Sequence, residues 1–190
     1  MLTKGSMDQT VKKLARFADM LSERIFTTVI SVDQLKIFLT TEPLHAIPDE
    51  SSYAPLTEEI WGGEGVYAWF KGSFTVPESL SGKALFVWPR MDFYEATLWL
   101  NGCIHSNYAN KFVEGSHGNH YCNRITAGAK AGESFALDLE CYAWHMVPGT
   151  HPFKDDRRPS QNFCYACGPL DVCTRDDEVM DFVFDLNTLL

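Results

Sequence analysis

Residues 66–77 read Val66-Tyr67-Ala68-Trp69-Phe70-Lys71-Gly72-Ser73-Phe74-Thr75-Val76-Pro77. Aromatic and branched side chains dominate this run, and they suit a pleated, half-buried strand. Pro77 ends it, because proline has no N–H to give to a ladder. Further strands are expected at 34–39, 83–88, 96–100, 121–125, 134–142 and 170–174, each bounded by Gly, Pro, Asn or Ser. Asn101-Gly102 is the strongest turn signal in the chain. Short strands joined by turns, without strand–helix alternation, predict a mainly β, jelly-roll sandwich rather than a doubly wound parallel sheet.

Helices are expected at both ends. Val11, Leu14, Ala15, Ala18, Leu21 and Ile25 recur at helical spacing, and Ser6 with Gln9 has the spacing of a capping box. Val179, Phe182, Val183, Leu186, Leu189 and Leu190 form a second stripe, with Thr174 and Asp177 spaced as its capping box. The expected organisation is a helical segment at 1–33, a β-sandwich at 34–175 and a linker helix at 176–190. That helix ends on Leu189-Leu190 with no Gly, Asn or basic residue to close it. Two readings of this end stand: a frayed helix on its own domain, or a helix leading into a further domain. The polar stretches 41–65 and 148–162 are long connections, and Lys154 to Arg158 reads as a solvated loop tip.

The 190 residues carry a formal net charge of −9, with 25 acidic against 16 basic side chains. A polyanion would be repelled, so nucleic acid is an unsuitable partner. The longest uninterrupted apolar run, Ala84 to Trp88, is too short to span a bilayer. The N-terminus lacks the apolar core of a signal peptide, so a cytoplasmic location and free thiols on all six Cys are expected. Cys103, Cys141 and Cys173 lie in apolar runs, where Cys acts as a small buried hydrophobe.

Three stretches together resemble one family. Residues 68–77 run into Gly82-Lys83-Ala84-Leu85-Phe86-Val87-Trp88 and then Glu95-Ala96-Thr97-Leu98-Trp99-Leu100-Asn101-Gly102. This resembles the accessory jelly roll of glycoside hydrolases, including β-galactosidase-like enzymes, where a Val-Pro strand end, a Gly-Lys turn and an Asn-Gly turn follow in that order. Gly115-Ser116-His117-Gly118-Asn119-His120 resembles a Gly-x-x-x-Asn-His loop in the N-terminal domain of family 38 α-mannosidases. Residues 170–186, with the helix before the sandwich, are similar to the strand and linker helix that precede that family's catalytic domain.

The resemblance implies a galactose-binding-like sandwich that is a non-catalytic N-terminal domain of an α-mannosidase. Gly115, Asn119 and His120 would shape a loop. The divalent metal, zinc, and the Asp nucleophile would belong to a catalytic domain after Leu186. No catalytic or metal residue transfers to this chain, which needs no cofactor. The implied partners are the catalytic domain of the same polypeptide, carbohydrate, and further copies of the parent enzyme in a homo-oligomer.

Residue chemistry adds few rivals. Cys164-Tyr165-Ala166-Cys167 has zinc-ligand spacing but no second pair, and His117-x-x-His120 has no third ligand. Among 25 acids, pairs drawn from Glu58, Glu59, Glu64, Asp92 and Glu95 are expected by chance, so surface charge is their default reading. Trp61 and Trp144 stand at loop edges, near Glu64 and His145, and are the candidates for a sugar platform or a domain interface. Trp69, Trp88 and Trp99 are expected in the core. An independent carbohydrate-binding module, or the equivalent domain of a β-galactosidase-like enzyme, are the alternative readings.

Overall fold

The computed structural model describes residues 4–109, 121–145 and 163–190. In chain order its elements are α1 (Lys4–Ser22), β1 (Phe26–Val32), β2 (Lys36–Thr40), β3 (Ala54–Pro55), β4 (Ile60–Gly62), β5 (Tyr67–Thr75), β6 (Leu85–Pro89), β7 (Glu95–Leu100), β8 (Cys103–Ala109), β9 (Asn123–Thr126), β10 (Ser134–Tyr142), β11 (Cys164–Ala166), β12 (Leu170–Arg175) and α2 (Asp177–Leu189). A six-stranded sheet runs β3-β2-β5-β10-β7-β8, a four-stranded sheet runs β1-β12-β6-β9, and β4 pairs with β11 alone. The strand pairs are antiparallel. The protein is a mainly β sandwich with one helix at either end.

Alternation decides the faces. Along β5 and β10, Ala68, Phe70, Phe74, Leu137, Leu139 and Cys141 point inward and join the core. They meet Leu85, Val87, Ile125, Leu170 and Val172 of the other sheet. Tyr108 is buried among them, and its hydroxyl donates to the Val87 carbonyl at 2.9 Å, so its one polar atom is satisfied. Asn101 and Gly102 both have positive φ, 50° and 86°, as a type I′ hairpin turn requires.

Several expectations need correction. Ser6 lies inside α1, and its carbonyl accepts from the Thr10 hydroxyl, so it does not cap the helix. The helix stops at Ser22, and Phe26–Val32, expected as part of a helical segment reaching residue 33, is a strand paired with β12. Thr174 belongs to β12; the α2 cap is Asp176, whose carboxylate accepts from the Val179 N–H at 3.1 Å. Cys103 is exposed beside the hairpin turn, whereas Cys141 and Cys173 are buried as expected. β8 and the short strands β3, β4 and β11 had no clear sequence signal.

Trp69 is buried as expected, Trp88 and Trp99 are only half-buried, and Trp61 is buried where a loop edge was expected. Trp61 belongs to the inner core, while Trp69, Trp88 and Trp99 sit on outer sheet faces. Trp69 is nonetheless fully buried, with Trp99 at 5.8 Å, so this outer face is itself covered.

Two substitutions test the packing. Leu98→Ala should cost about 2–5 kcal/mol by opening a cavity between the sheets. Tyr108→Phe should cost about 1 kcal/mol, the net worth of one buried hydrogen bond, plus the penalty of an unpaired Val87 carbonyl. Urea unfolding of the two variants should reproduce that order.

Candidate functional site

One end of the sandwich gathers the aromatic residues. Here the turn at residues 62–66, the segment 90–94 and the strand ends around Tyr142 and Phe163 are tied by backbone bonds. Gly63 N–H donates to Phe163 O, Gly65 N–H to Trp144 O, Ala143 N–H to Val66 O, and Tyr94 N–H to Tyr142 O. Gly62 has φ +134°, and a Cβ there would overlap the Phe163 carbonyl, so this crossing of β4 and β11 needs glycine.

Three stacked pairs result. Trp61 stacks on Tyr165 at 5.1 Å, Tyr94 on Trp144 at 5.2 Å, and Tyr67 on Tyr142 at 4.6 Å. The Tyr142 hydroxyl also meets His145 Nδ1. The expected pair therefore divides. Trp61 is only 3% exposed, and its indole N–H donates to the Asp92 carbonyl at 3.0 Å. It anchors the core and offers no open platform on this chain. Trp144 is half-buried, with Tyr94 against one side and Phe163 tilted at 6.3 Å. Its φ of +69° is a backbone state that a bulky residue seldom adopts.

Gly115, Asn119 and His120 lie outside the described residues, as does His117. Among the described residues, no group of three or more His, Cys, Asp or Glu is placed to hold a metal ion. Cys164 opens β11 and Cys167 follows it, and Cys167 lines a shallow groove of about 620 Å³ together with Glu58 and Glu59.

Sequence reasoning passed over the acids that the fold buries. Asp138 and Glu140 lie on the outer face of the six-stranded sheet, and burial raises both carboxyls above their ordinary values. Asp138, 3% exposed, accepts from the Tyr53 hydroxyl at 3.3 Å and faces Lys71 Nζ at 3.6 Å. Lys71 also reaches Glu50 at 2.9 Å, and Lys36 pairs with the same carboxylate. This network shows what part of the long connection 41–65 does: it straps residues 50–53 over the sheet. Hydrogen bonds from Lys36 and then Lys71 hold the Glu50 carboxyl down at about 2. Only the alternation of β10 could have signalled these acids, and it does not say that a strap covers that face.

No family model matches the chain, and no curated protein matches it. Among solved structures, β-glucuronidase from Faecalibacterium prausnitzii is similar at a TM-score of 0.49 and 14% identity over 80% of this chain and 32% of that one. A Ruminococcus gnavus β-glucuronidase in complex with D-glucuronic acid gives 0.48 and 12% over 80% and 30%. A family 31 α-xylosidase from Xanthomonas citri gives 0.33 and 9% over 80% and 18%. The chain spans about a third of the length of these two β-glucuronidases. Scores this low bear on neither activity nor substrate.

Trp61→Ala should cost about 3–5 kcal/mol, as loss of a core aromatic does, and should loosen the whole aromatic end. Near-ultraviolet circular dichroism with urea unfolding would show both. The strap should answer to pH. Glu50 has a depressed folded value, so its contribution is present above the unfolded value of 4.5 and fades as pH falls through about 2. Glu50→Gln should therefore unfold earlier than the native chain at pH 7, with the gap closing as the medium is acidified through that window.

Proposed function

We propose that this chain is a non-catalytic accessory sandwich of a larger glycoside hydrolase, with a family 38 α-mannosidase as the parent enzyme. The observation that carries the reading is the outer surface of the helix pair. α1 and α2 touch through Phe17 and Phe182, whose rings meet edge to face at 6.3 Å. Beyond that contact, Met7, Val11, Met20, Phe184 and Leu189 are exposed, Leu189 at 82%. Within the helices only Ala18 of α1 and Val183 and Leu186 of α2 are buried; of the stripes read from sequence, Leu14, Ala15, Leu21 and Val179 are half-buried, and Val11, Phe182, Leu189 and Leu190 are exposed. Large apolar side chains left exposed on a pair of packed helices suit an interface. In the proposed enzyme the catalytic domain of the same polypeptide covers it, and that domain holds the zinc and the nucleophile.

Placement of the motifs supports the reading. Val76-Pro77 follows β5, Gly82-Lys83 precedes β6, and Asn101-Gly102 joins β7 to β8. The motifs shared with accessory jelly rolls thus fall on the connections between successive strands. No helix among the described residues is long and apolar enough to cross a membrane. We assign the parent enzyme to the cytoplasm, in a homo-oligomer.

The isolated chain should show no turnover of an aryl α-mannoside, and clear hydrolysis would sink the accessory reading. Met20→Asp and Leu189→Asp should change the isolated chain by less than about 0.5 kcal/mol, as exposed sites do. In a chain extended by the downstream coding sequence, each should lower the melting midpoint and the mannosidase activity. A second reading, a carbohydrate-binding module, is favoured by the half-exposed Tyr94–Trp144 stack. Titration calorimetry with mannose and oligomannosides decides it: heat that disappears in Trp144→Ala supports binding, and silence at millimolar sugar rejects it.

A further inference from the structure

An edge strand leaves a row of backbone N–H and C=O groups that can pair with another chain. Among the described residues, the two larger sheets have four edges, and three of them are closed. β8 and β9 face each other and are bridged by side chains. His105 Nε2 donates to the Arg124 carbonyl at 2.9 Å, and Asn123 Nδ2 donates to the Asn107 carbonyl at 3.0 Å. β3, at the far edge of the six-stranded sheet, is two residues long and ends in Pro55.

β1 is different. It pairs with β12 on one side, and no described strand pairs with the other. Its seven residues, Phe26–Val32, include no charge and no proline, and Thr27, Thr28, Val29, Ile30 and Val32 are β-branched. Its one guard is a bulge. The register against β12 slips between Thr28 and Ile30, so Val29 is an extra residue at the midpoint of the strand. A bulge spoils pairing with a straight strand, but a strand bent in the same way at the same place matches it.

A second copy of this chain therefore fits the edge, and charge and space agree. With a net charge of −9, two copies repel each other except across an uncharged strip, and β1 is such a strip. Opposite charges flank it, Arg24 before the strand and Asp33 after it. In an antiparallel pair centred on Val29, Arg24 of each copy comes within one position of Asp33 of the other. Both helices are attached at the Phe26–Arg175 end of the β1–β12 pair, so antiparallel copies carry their helix pairs to opposite ends. The exposed helix faces stay free for the domain that covers them.

We propose that two copies of this chain pair β1 with β1, antiparallel, about a two-fold axis at Val29. The product is one continuous sheet with four strands from each copy. This names the contact of the homo-oligomer assigned above and rests on that assignment. A single strand edge buries less surface than a standard interface, so the dimer is weak and fills only as concentration rises.

Sedimentation equilibrium of the 190-residue chain, from micromolar to millimolar concentration, tests the proposal. Met20→Asp and Leu189→Asp are present together, so that the helix faces do not associate on their own. A monomer–dimer equilibrium is expected, and the β1 amides should exchange with deuterium more slowly as the dimer fills. Arg24→Asp should weaken the dimer about tenfold, and Asp33→Arg likewise, because each sets like charges against each other. The two changes combined should restore it. A chain that stays monomeric throughout overturns the proposal. So does a dimer indifferent to both charge reversals, or one that leaves β1 exchange unchanged. None of these results touches the accessory reading, which stands or falls on mannoside turnover.

Discussion

β10 is the strand on which the sandwich is built. It pairs along its whole length with β5 and, from Leu137 onward, with β7 on its other side. Its side chains alternate between two unlike environments: Leu137, Leu139 and Cys141 face the second sheet, and Asp138, Glu140 and Tyr142 face outward. A slip of one residue would drive two carboxylates into an apolar core and push the leucines out, so the register is fixed by the cost of the alternative. Once β10 is set, the positions of Phe70, Leu98 and Trp69 follow from pairing alone.

The same alternation explains how far sequence reading could go. Runs such as Ala68-Trp69-Phe70 and Leu85-Phe86-Val87-Trp88 announce strands whose two faces are both covered, and strand positions were legible for that reason. Which tryptophan faced inward was not. Period two assigns Trp69 and Phe70 to opposite faces without saying which face is core, and the answer depends on what the neighbouring strands offer. Trp61 looked peripheral because its surroundings are rich in Gly and Glu. Its burial comes from β4 pairing with β11, about a hundred residues away in sequence, and no local pattern encodes that contact.

Both outer faces are covered by segments that leave few periodic traces. On the six-stranded sheet Glu50 and Tyr53 are held by two lysines and a buried aspartate. On the four-stranded sheet Tyr121 lies against the rings of Phe26 and Trp88. Such straps are held by a few long-range contacts rather than by composition, which is why the buried acids were invisible as motifs. The helices show the reverse case. Their apolar stripes were plain in the sequence, yet the fold leaves Val11, Phe182 and Leu189 exposed on them, and that mismatch between pattern and burial carries the functional reading.

The hairpin turn at Asn101-Gly102 has a further consequence, for how the protein ages. Asn-Gly is the dipeptide most prone to cyclise, because the unhindered glycine nitrogen attacks the asparagine side-chain carbonyl and releases ammonia. Here the Asn101 side-chain oxygen accepts from the Ala136 N–H at 2.8 Å, and the Asn101 N–H donates back to the Ala136 carbonyl. The side chain is thus clamped to β10 instead of folding toward Gly102. Deamidation must wait until the β7–β8 hairpin opens locally, so the turn acts as a chemical clock whose rate counts those openings.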